Sequence, residues 1–141
     1  MIAYVDSSFL VSVYVMSTHS ATADRLLRQR PQIPMTPFLL AEWAHALAAQ
    51  VFRGQMSVSE AQRVELEFAN DRKTGLWTAS AMPDSAFEVC ADLARQYGPK
   101  LGMRTLDSLH VACALELKAD RFWTFDGRQA KLAKAQGLRV P

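Results

Sequence analysis

The stretch Ile2-Ala3-Tyr4-Val5-Asp6 opens the chain with a short apolar, β-prone run that ends at an acid. Such a run is typical of a buried strand. A second run of the same kind, 121–125, ends at Asp126. The segments between them read mainly as helices, and strands that alternate with helices indicate an α/β class with a mostly parallel sheet. Because ligands of such folds bind beyond the carboxyl ends of the strands, we expect Asp6 and Asp126 to lie at one functional edge.

Local signals predict the remaining elements. Thr36-Pro37 is typical of a helix start. Ser57-x-x-Glu60 and Ser85-x-x-Glu88 both match the capping box, and Gly98-Pro99 is a helix stop signal. The sequence therefore predicts helices over 7–16, 19–30, 36–53, 57–72, 85–98, 105–117 and 129–136, and strands over 2–5, 32–35, 76–79, 121–125 and 138–140.

Length and composition limit the class of protein. The 141 residues, half of them hydrophobic, suit one domain spanning 1–141 with its own core. The chain begins without the pattern of a signal peptide and has no apolar run long enough for a bilayer, so we expect a cytoplasmic location. Cys90 and Cys113 are expected to be buried free thiols, and the absence of paired Cys/His spacings argues against zinc.

Charge indicates less about partners. The net charge is only +2, with basic residues concentrated near Arg25 and between 100 and 139. If carboxylates bind cations, the remaining surface is basic and compatible with a polyanionic substrate. Solvated helix faces explain the same distribution.

Four acids are candidates for a shared site, although each has an ordinary interpretation. Asp6 and Asp126 suit helix caps or turns, and Asp107 suits the first turn of a helix. Glu42 and Asp107, however, lie on apolar helix faces, where an unpaired charge is costly. Four carboxylates brought together would raise one another's pKa unless a cation joined them. We therefore expect a site made of Asp6, Glu42, Asp107 and Asp126.

The ligand set predicts the metal and the chemistry. Carboxylate oxygens favour Mg²⁺ or Mn²⁺, and a bound metal activates water for attack on a phosphodiester. Two metals, or one metal with a carboxylate base, remain open. Ser8 and Thr124 are expected to orient carboxylates or waters by hydrogen bonds. Arg104 is expected to bind a phosphate oxygen or to pair with a carboxylate.

Histidines and tryptophans are assigned structural roles. His19, His45 and His110 form no site by spacing, so we expect structural or surface positions for them. We expect the three tryptophans to lie in the core, and there is no glycine-rich phosphate-binding loop.

The chain resembles the PIN domain family, and within it the VapC-type toxins. The matching pieces are Tyr4-Val5-Asp6-Ser7-Ser8, Thr36-Pro37 through Glu42, Leu106 to Ala112, Thr124-Phe125-Asp126 and Leu132 to Leu138. Together they cover essentially the whole chain, with the acids in the family's order and separations.

That resemblance implies a three-layer α/β/α sandwich with a parallel sheet of four to five strands. It implies an endoribonuclease that depends on Mg²⁺ or Mn²⁺, forms a homodimer and is neutralised by a VapB-type antitoxin. Asp6 and Asp107 would be the surest metal ligands, and Glu42 and Asp126 would complete the site. The segment from Ser57 to Ala81 is the least family-like, and we expect it to form a helical hairpin for dimer or antitoxin contacts.

Two alternatives stay open. One is a PIN-type nuclease that acts in RNA processing without an antitoxin. The other is a non-catalytic α/β module that binds a partner. A phospho-receiver is disfavoured because it needs paired acids after the first strand, where this chain has Ser7-Ser8.

Overall fold

The two runs that end at acids lie side by side. In a computed structural model, which describes all 141 residues, β1 (Ala3–Val5) pairs in parallel with β4 (Arg121–Trp123). The register places Tyr4 opposite Phe122. Since the strands are parallel, their carboxyl ends, and the acids that follow them, share one edge.

The rest of the sheet is less regular than expected. β2 (Pro34–Met35) pairs in parallel with β3 (Thr78–Ala79), and single bridges join Ile2 to Gln32 and Arg121 to Arg139. Regular pairing is thus confined to two two-stranded ladders, and the expected sheet of four to five strands is not seen. Ile33 and Met35 make the bonds to β3, whereas Gln32 bonds Met1 and Ala3 on the other side of the strand. The next residue on that side is Pro34, which has no N–H to donate, so the pairing with β1 stops at a single bridge. The expected strand at 138–140 is reduced to its one bridge.

Seven helices account for most of the chain. They are α1 (Ser7–Tyr14), α2 (Ser20–Leu27), α3 (Pro37–Phe52), α4 (Val58–Thr74), α5 (Ala86–Leu101), α6 (Thr105–Glu116) and α7 (Gly127–Ala135). None of them is both long and apolar enough to cross a membrane.

Two of the predicted helix starts are confirmed by their hydrogen bonds. The Thr36 hydroxyl accepts the N–H of Leu39 at 3.3 Å, and Pro37 occupies the first helical position of α3. The Ser57 hydroxyl accepts the N–H of Glu60 at 3.1 Å at the start of α4. Both are contacts within three residues, which is why sequence alone identified them.

Three other local predictions were wrong. Ser85 does not cap α5: its backbone is already helical, with φ −63° and ψ −18°, and its hydroxyl donates to Glu116 on α6. α5 continues past Gly98-Pro99 to Leu101 and ends at Gly102, whose φ of 63° suits glycine. The segment from Ser57 to Ala81 holds one helix and β3, and it forms a hairpin only together with α3.

Hydrophobic cores lie on both faces of the central ladder. Ala3, Val5 and Trp123 face one core, which α1 to α4 cover. Tyr4 and Phe122 face the other, which α5, α6 and α7 cover. Alternation along the strands thus places helices on both sides, as expected for the α/β class. The three tryptophans and both free cysteines are buried, as predicted.

Candidate functional site

The four predicted acids line one cavity of about 490 Å³ at the carboxyl ends of β1 and β4. We call it the acidic cavity. Its lining residues come from the ends of strands and the starts of helices, and only one of the ten is hydrophobic: Asp6, Ser7, Ser8, Glu42, Arg104, Thr105, Leu106, Asp107, Asp126 and Gln129. The fold therefore brings together residues that are up to 123 positions apart in the numbering of the chain.

Asp6 is buried and held by three donors. The Ser8 hydroxyl donates to Oδ1 at 2.6 Å, the Phe9 N–H donates to Oδ1 at 3.0 Å, and the Thr124 hydroxyl donates to Oδ2 at 2.6 Å. Burial nevertheless raises the pKa of Asp6, since the loss of water outweighs these bonds. A carboxylate with a raised pKa is one that a bound cation would stabilise.

Ser8 and Thr124 also join the two strand ends to each other. Ser8 Oγ accepts the N–H of Phe125 at 3.0 Å, and Thr124 Oγ1 accepts the N–H of Asp126 at 2.9 Å. Each hydroxyl therefore has a fixed direction, because it accepts from a backbone N–H and donates its own hydrogen bond to Asp6. The two residues expected to orient a carboxylate make the contacts that this role requires.

Asp107 lies in the first turn of α6 and is held differently. Its Oδ2 accepts the backbone N–H of Arg104 at 3.0 Å and lies 3.4 Å from Arg104 Nε, while its Oδ1 accepts from Gln129 Nε2 at 3.2 Å. Burial alone would raise the pKa of Asp107, but these hydrogen bonds and the charge of Arg104 lower it. Of the two roles expected for Arg104, the structure shows the pairing with a carboxylate, and its side chain is 73% exposed beyond that pair.

Glu42 is anchored by a residue that the sequence did not indicate. His110 Nε2 bonds Glu42 Oε1, and His110 Nδ1 lies 2.8 Å from the Tyr4 hydroxyl. A carboxylate can only accept, so His110 Nε2 carries the proton that it donates to Glu42. In the neutral ring Nδ1 then accepts from the Tyr4 hydroxyl, whose pKa burial raises well above its usual range. The spacing of three from Asp107 to His110, which places both on one face of α6, was the available signal.

Asp126 both caps a helix and lines the acidic cavity. Its Oδ1 accepts the N–H groups of Arg128 and Gln129 at 2.9 and 3.0 Å and so caps α7. The same side chain lines the acidic cavity.

Gln129 is the second residue that sequence reasoning missed. It is buried, it lines the acidic cavity, and its amide Nε2 holds Asp107. Its Oε1 is buried without a hydrogen-bond partner. A glutamine one turn into α7, next to a capping acid, gives no signal by itself, because its partner lies on another helix.

The lining residues are suited to a divalent cation that keeps several waters, and they do not form a closed shell of protein ligands around one ion. The cavity contains four carboxyl groups and only one permanent cation, Arg104. No group of three or more His, Cys, Asp or Glu side chains lies close enough to surround one ion. Mg²⁺ is commonly held by one or two carboxylates and keeps several waters, so this donor set suits it without further protein ligands.

Comparisons with known proteins agree with this fold. No curated protein matches the chain. The structure of the Mycobacterium tuberculosis toxin VapC20, which cleaves the sarcin–ricin loop, is 16% identical, covers 92% of this chain and 93% of its own, and has a TM-score of 0.67. VapBC2 from Rickettsia felis, bound to promoter DNA, is 14% identical, with coverages of 100% and 98% and a TM-score of 0.68. A toxin–antitoxin complex from Klebsiella pneumoniae is 14% identical, with coverages of 99% and 95% and a TM-score of 0.62.

At identities this low, structural similarity shows the fold alone. The sequence itself matches the model of the PIN domain over residues 3–135. That range includes all four acids, Ser8 and Thr124. The chain belongs to the PIN domain family.

Proposed function

We propose that this chain is an endoribonuclease that depends on Mg²⁺ or Mn²⁺ and is the toxin of a VapBC-type toxin–antitoxin pair. The observation that carries the proposal is the acidic cavity at the carboxyl ends of two parallel strands, which Asp6, Glu42, Asp107 and Asp126 all line. Membership of the PIN domain family supports a nuclease.

Each lining residue has a role in this proposal. Asp6 and Asp107 are the main metal ligands, and Glu42 and Asp126 complete the site as ligands or as groups that position water. The metal, when bound, lowers the pKa of its water and stabilises charge on a phosphoryl oxygen. Ser8 and Thr124 fix the direction of the Asp6 carboxylate, and His110 does the same for Glu42. The exposed part of Arg104 is placed to contact a substrate phosphate.

The partners follow from the structural neighbours and from one surface. The neighbours include VapBC2 and a toxin–antitoxin complex, which supports a VapB-type antitoxin for this chain. The hairpin of α3 and α4 carries an apolar groove of about 870 Å³, in which eight of ten lining residues are hydrophobic. We call it the α3–α4 groove, and we assign contacts with the antitoxin or within a homodimer to this hairpin.

The proposal is tested by incubating the purified protein with single-stranded and structured RNA in Mg²⁺, in Mn²⁺ and in EDTA. We expect cleavage that requires the metal and that disappears in Asp6→Asn purified in the same way. Asp92→Asn is the matched control, because Asp92 is an exposed carboxylate that pairs only with Arg95. Cleavage that persists in EDTA would contradict the proposal, as would cleavage by Asp6→Asn at the rate of the wild type. Either result would show that the activity does not arise from the acidic cavity.

Two further measurements separate the proposed toxin from its alternatives. Expression of the wild-type chain should arrest growth, and co-expression of an antitoxin should restore it. A chain that cleaves RNA but never slows growth would instead be a processing nuclease. Isothermal titration with Mn²⁺ that shows no binding would indicate a non-catalytic module.

A further inference from the structure

A second cavity, of about 590 Å³, opens beside the acidic cavity. Seven residues line it, four of them hydrophobic: Ser7, Phe38, Ala41, Glu42, His45, Ala46 and Leu106. We propose that this side pocket receives one unpaired nucleobase of an RNA strand whose phosphate lies at the acidic cavity. The inference rests on the proposed ribonuclease function and adds to it a base-binding subsite.

Continuity is the first argument. Ser7, Glu42 and Leu106 line both the side pocket and the acidic cavity. A phosphodiester bound at the carboxylates carries a nucleoside on either side, so a base next to the reacting phosphate can reach across this shared wall. The larger α3–α4 groove shares no residue with the acidic cavity. The side pocket is thus the apolar surface that a bound strand meets first.

The chemistry of the lining selects a base over a phosphate. Its walls are the ring of Phe38 and the side chains of Ala41, Ala46 and Leu106. Glu42, at the shared wall, repels a phosphate but accepts from the amino group or ring N–H of a base. Unpaired bases are recognised in this manner, by stacking on aromatic or apolar side chains and by hydrogen bonds to their edges.

The aromatic wall is held in place before any ligand arrives. The Phe38 ring lies 4.5 Å from the ring of His110, which is fully buried between Tyr4 and Glu42. The bond that fixes Glu42 in the acidic cavity therefore also supports the wall of the side pocket. A preformed wall reduces the entropic cost of ordering side chains upon binding.

The test fills the pocket from a position that is neither one of the four acids nor part of the core. Ala41 is exposed on α3, so Ala41→Phe adds a ring to the pocket without disturbing the fold. Ala21→Phe on α2 is the matched control, since Ala21 is also exposed and helical but lies outside both cavities. Both changes are made in an Asp6→Asn background, and binding of a short fluorescent single-stranded RNA is measured in Mg²⁺ by anisotropy.

We expect Ala41→Phe to weaken RNA binding roughly tenfold or more, the effect of losing one stacked base. Ala21→Phe should leave binding unchanged. A series of RNAs with one abasic position at a time adds the decisive comparison. One abasic position should weaken binding to the parent protein, and at that position Ala41→Phe should cause no further loss.

Equal RNA binding by Ala41→Phe and Ala21→Phe would overturn the proposed subsite. A loss of affinity in Ala41→Phe that is the same for intact RNA and for every abasic RNA would also overturn it. A change of oligomeric state in Ala41→Phe, with RNA binding retained, would show that a second copy fills the pocket. Because binding is measured without cleavage, failure of the proposed ribonuclease activity is scored separately, by the cleavage assay of the wild-type chain.

Discussion

Asp6 and Asp107 lie in the same cavity, yet their surroundings shift their pKa in opposite directions. Asp6 follows β1 and receives its bonds from hydroxyls and one backbone N–H, with no cation among these donors. Asp107 lies in the first turn of α6 and accepts hydrogen bonds from Arg104 and Gln129. Burial therefore raises the pKa of Asp6, whereas the hydrogen bonds and charge of Arg104 lower that of Asp107.

Under the proposed metal-dependent function, the two acids would contribute differently to metal affinity and to stability. Hydrogen bonds and the charge of Arg104 stabilise ionised Asp107 in the metal-free protein. Asp6 has no cation among its hydrogen-bond donors, so a cation bound at the proposed site would offset the energy that its burial costs. Four measurements test this difference between Asp6 and Asp107 and the supports of the site.

The largest effect is expected on catalysis. Asp6→Asn and Asp107→Asn should each lower kcat for RNA cleavage by roughly a hundredfold or more, because both are proposed metal ligands and a bound metal contributes several kcal/mol of transition-state stabilisation. Asp92→Asn should be indistinguishable from the wild type. Full activity in either variant would remove that residue from the proposed metal site.

His110→Phe should lower kcat or Mg²⁺ affinity roughly 10–100-fold, the range for losing a partner that orients a metal ligand. The substitution keeps a ring in the core but releases Glu42. His110→Gln, whose amide still has N–H donors, should restore part of the activity, and Tyr4→Phe should lose less than His110→Phe. If folded His110→Phe cleaves RNA like the wild type, Glu42 does not need this anchor.

The stability of the metal-free protein should move in opposite directions for the two acids. Asp107→Asn replaces a charge that accepts from two residues, and we expect it to lower the free energy of unfolding by about 1.5–3 kcal/mol. Asp6→Asn removes a buried charge whose three hydrogen bonds do not offset its loss of water, and it should raise the stability at neutral pH. Urea unfolding in EDTA measures both, and a decrease of equal size in each variant would contradict the comparison.

Both stability differences should disappear in acid, but in separate windows. The stability that ionised Asp107 contributes is lost as pH falls from the ordinary aspartate pKa through its own lowered value. The cost of ionising Asp6 appears as pH rises from the ordinary aspartate pKa through its raised value. Unfolding curves over acidic pH in EDTA should therefore show the gain of Asp6→Asn disappearing first and the loss of Asp107→Asn disappearing at lower pH. A single common window would show that the two pKa values are not separated.

Much of the local structure was predictable because its contacts are short in sequence. The helix starts at Thr36 and Ser57 depend on a bond to the residue three positions later. Ser85 matches the same pattern but does not cap its helix. Its hydroxyl instead donates a hydrogen bond to Glu116, 31 residues away. A local rule does not include a competitor that only the fold supplies.

The sequence predicted that the four acids would lie near one another, but it did not indicate which residues hydrogen-bond them. Asp6 and Asp126 were expected at one sheet edge because both follow predicted strands, and Glu42 and Asp107 because their helix faces are apolar. His110 and Gln129 were missed since each acts on a residue from another element. Asp126 caps α7 with one carboxyl oxygen, and the same side chain lines the acidic cavity, so the cap leaves its proposed role in the site open to test.

By itself, the sequence determined the class of the fold, the position of each helix and which acids face inward, since these depend on hydrophobic period and on contacts within a few residues. Only the tertiary structure decided what surrounds each acid. The bonds from Thr124 to Asp6 and from His110 to Glu42 join residues 118 and 68 positions apart. Such pairs form only when parallel strands and their covering helices are packed together, and it is this packing that gives two similar carboxylates opposite shifts in pKa.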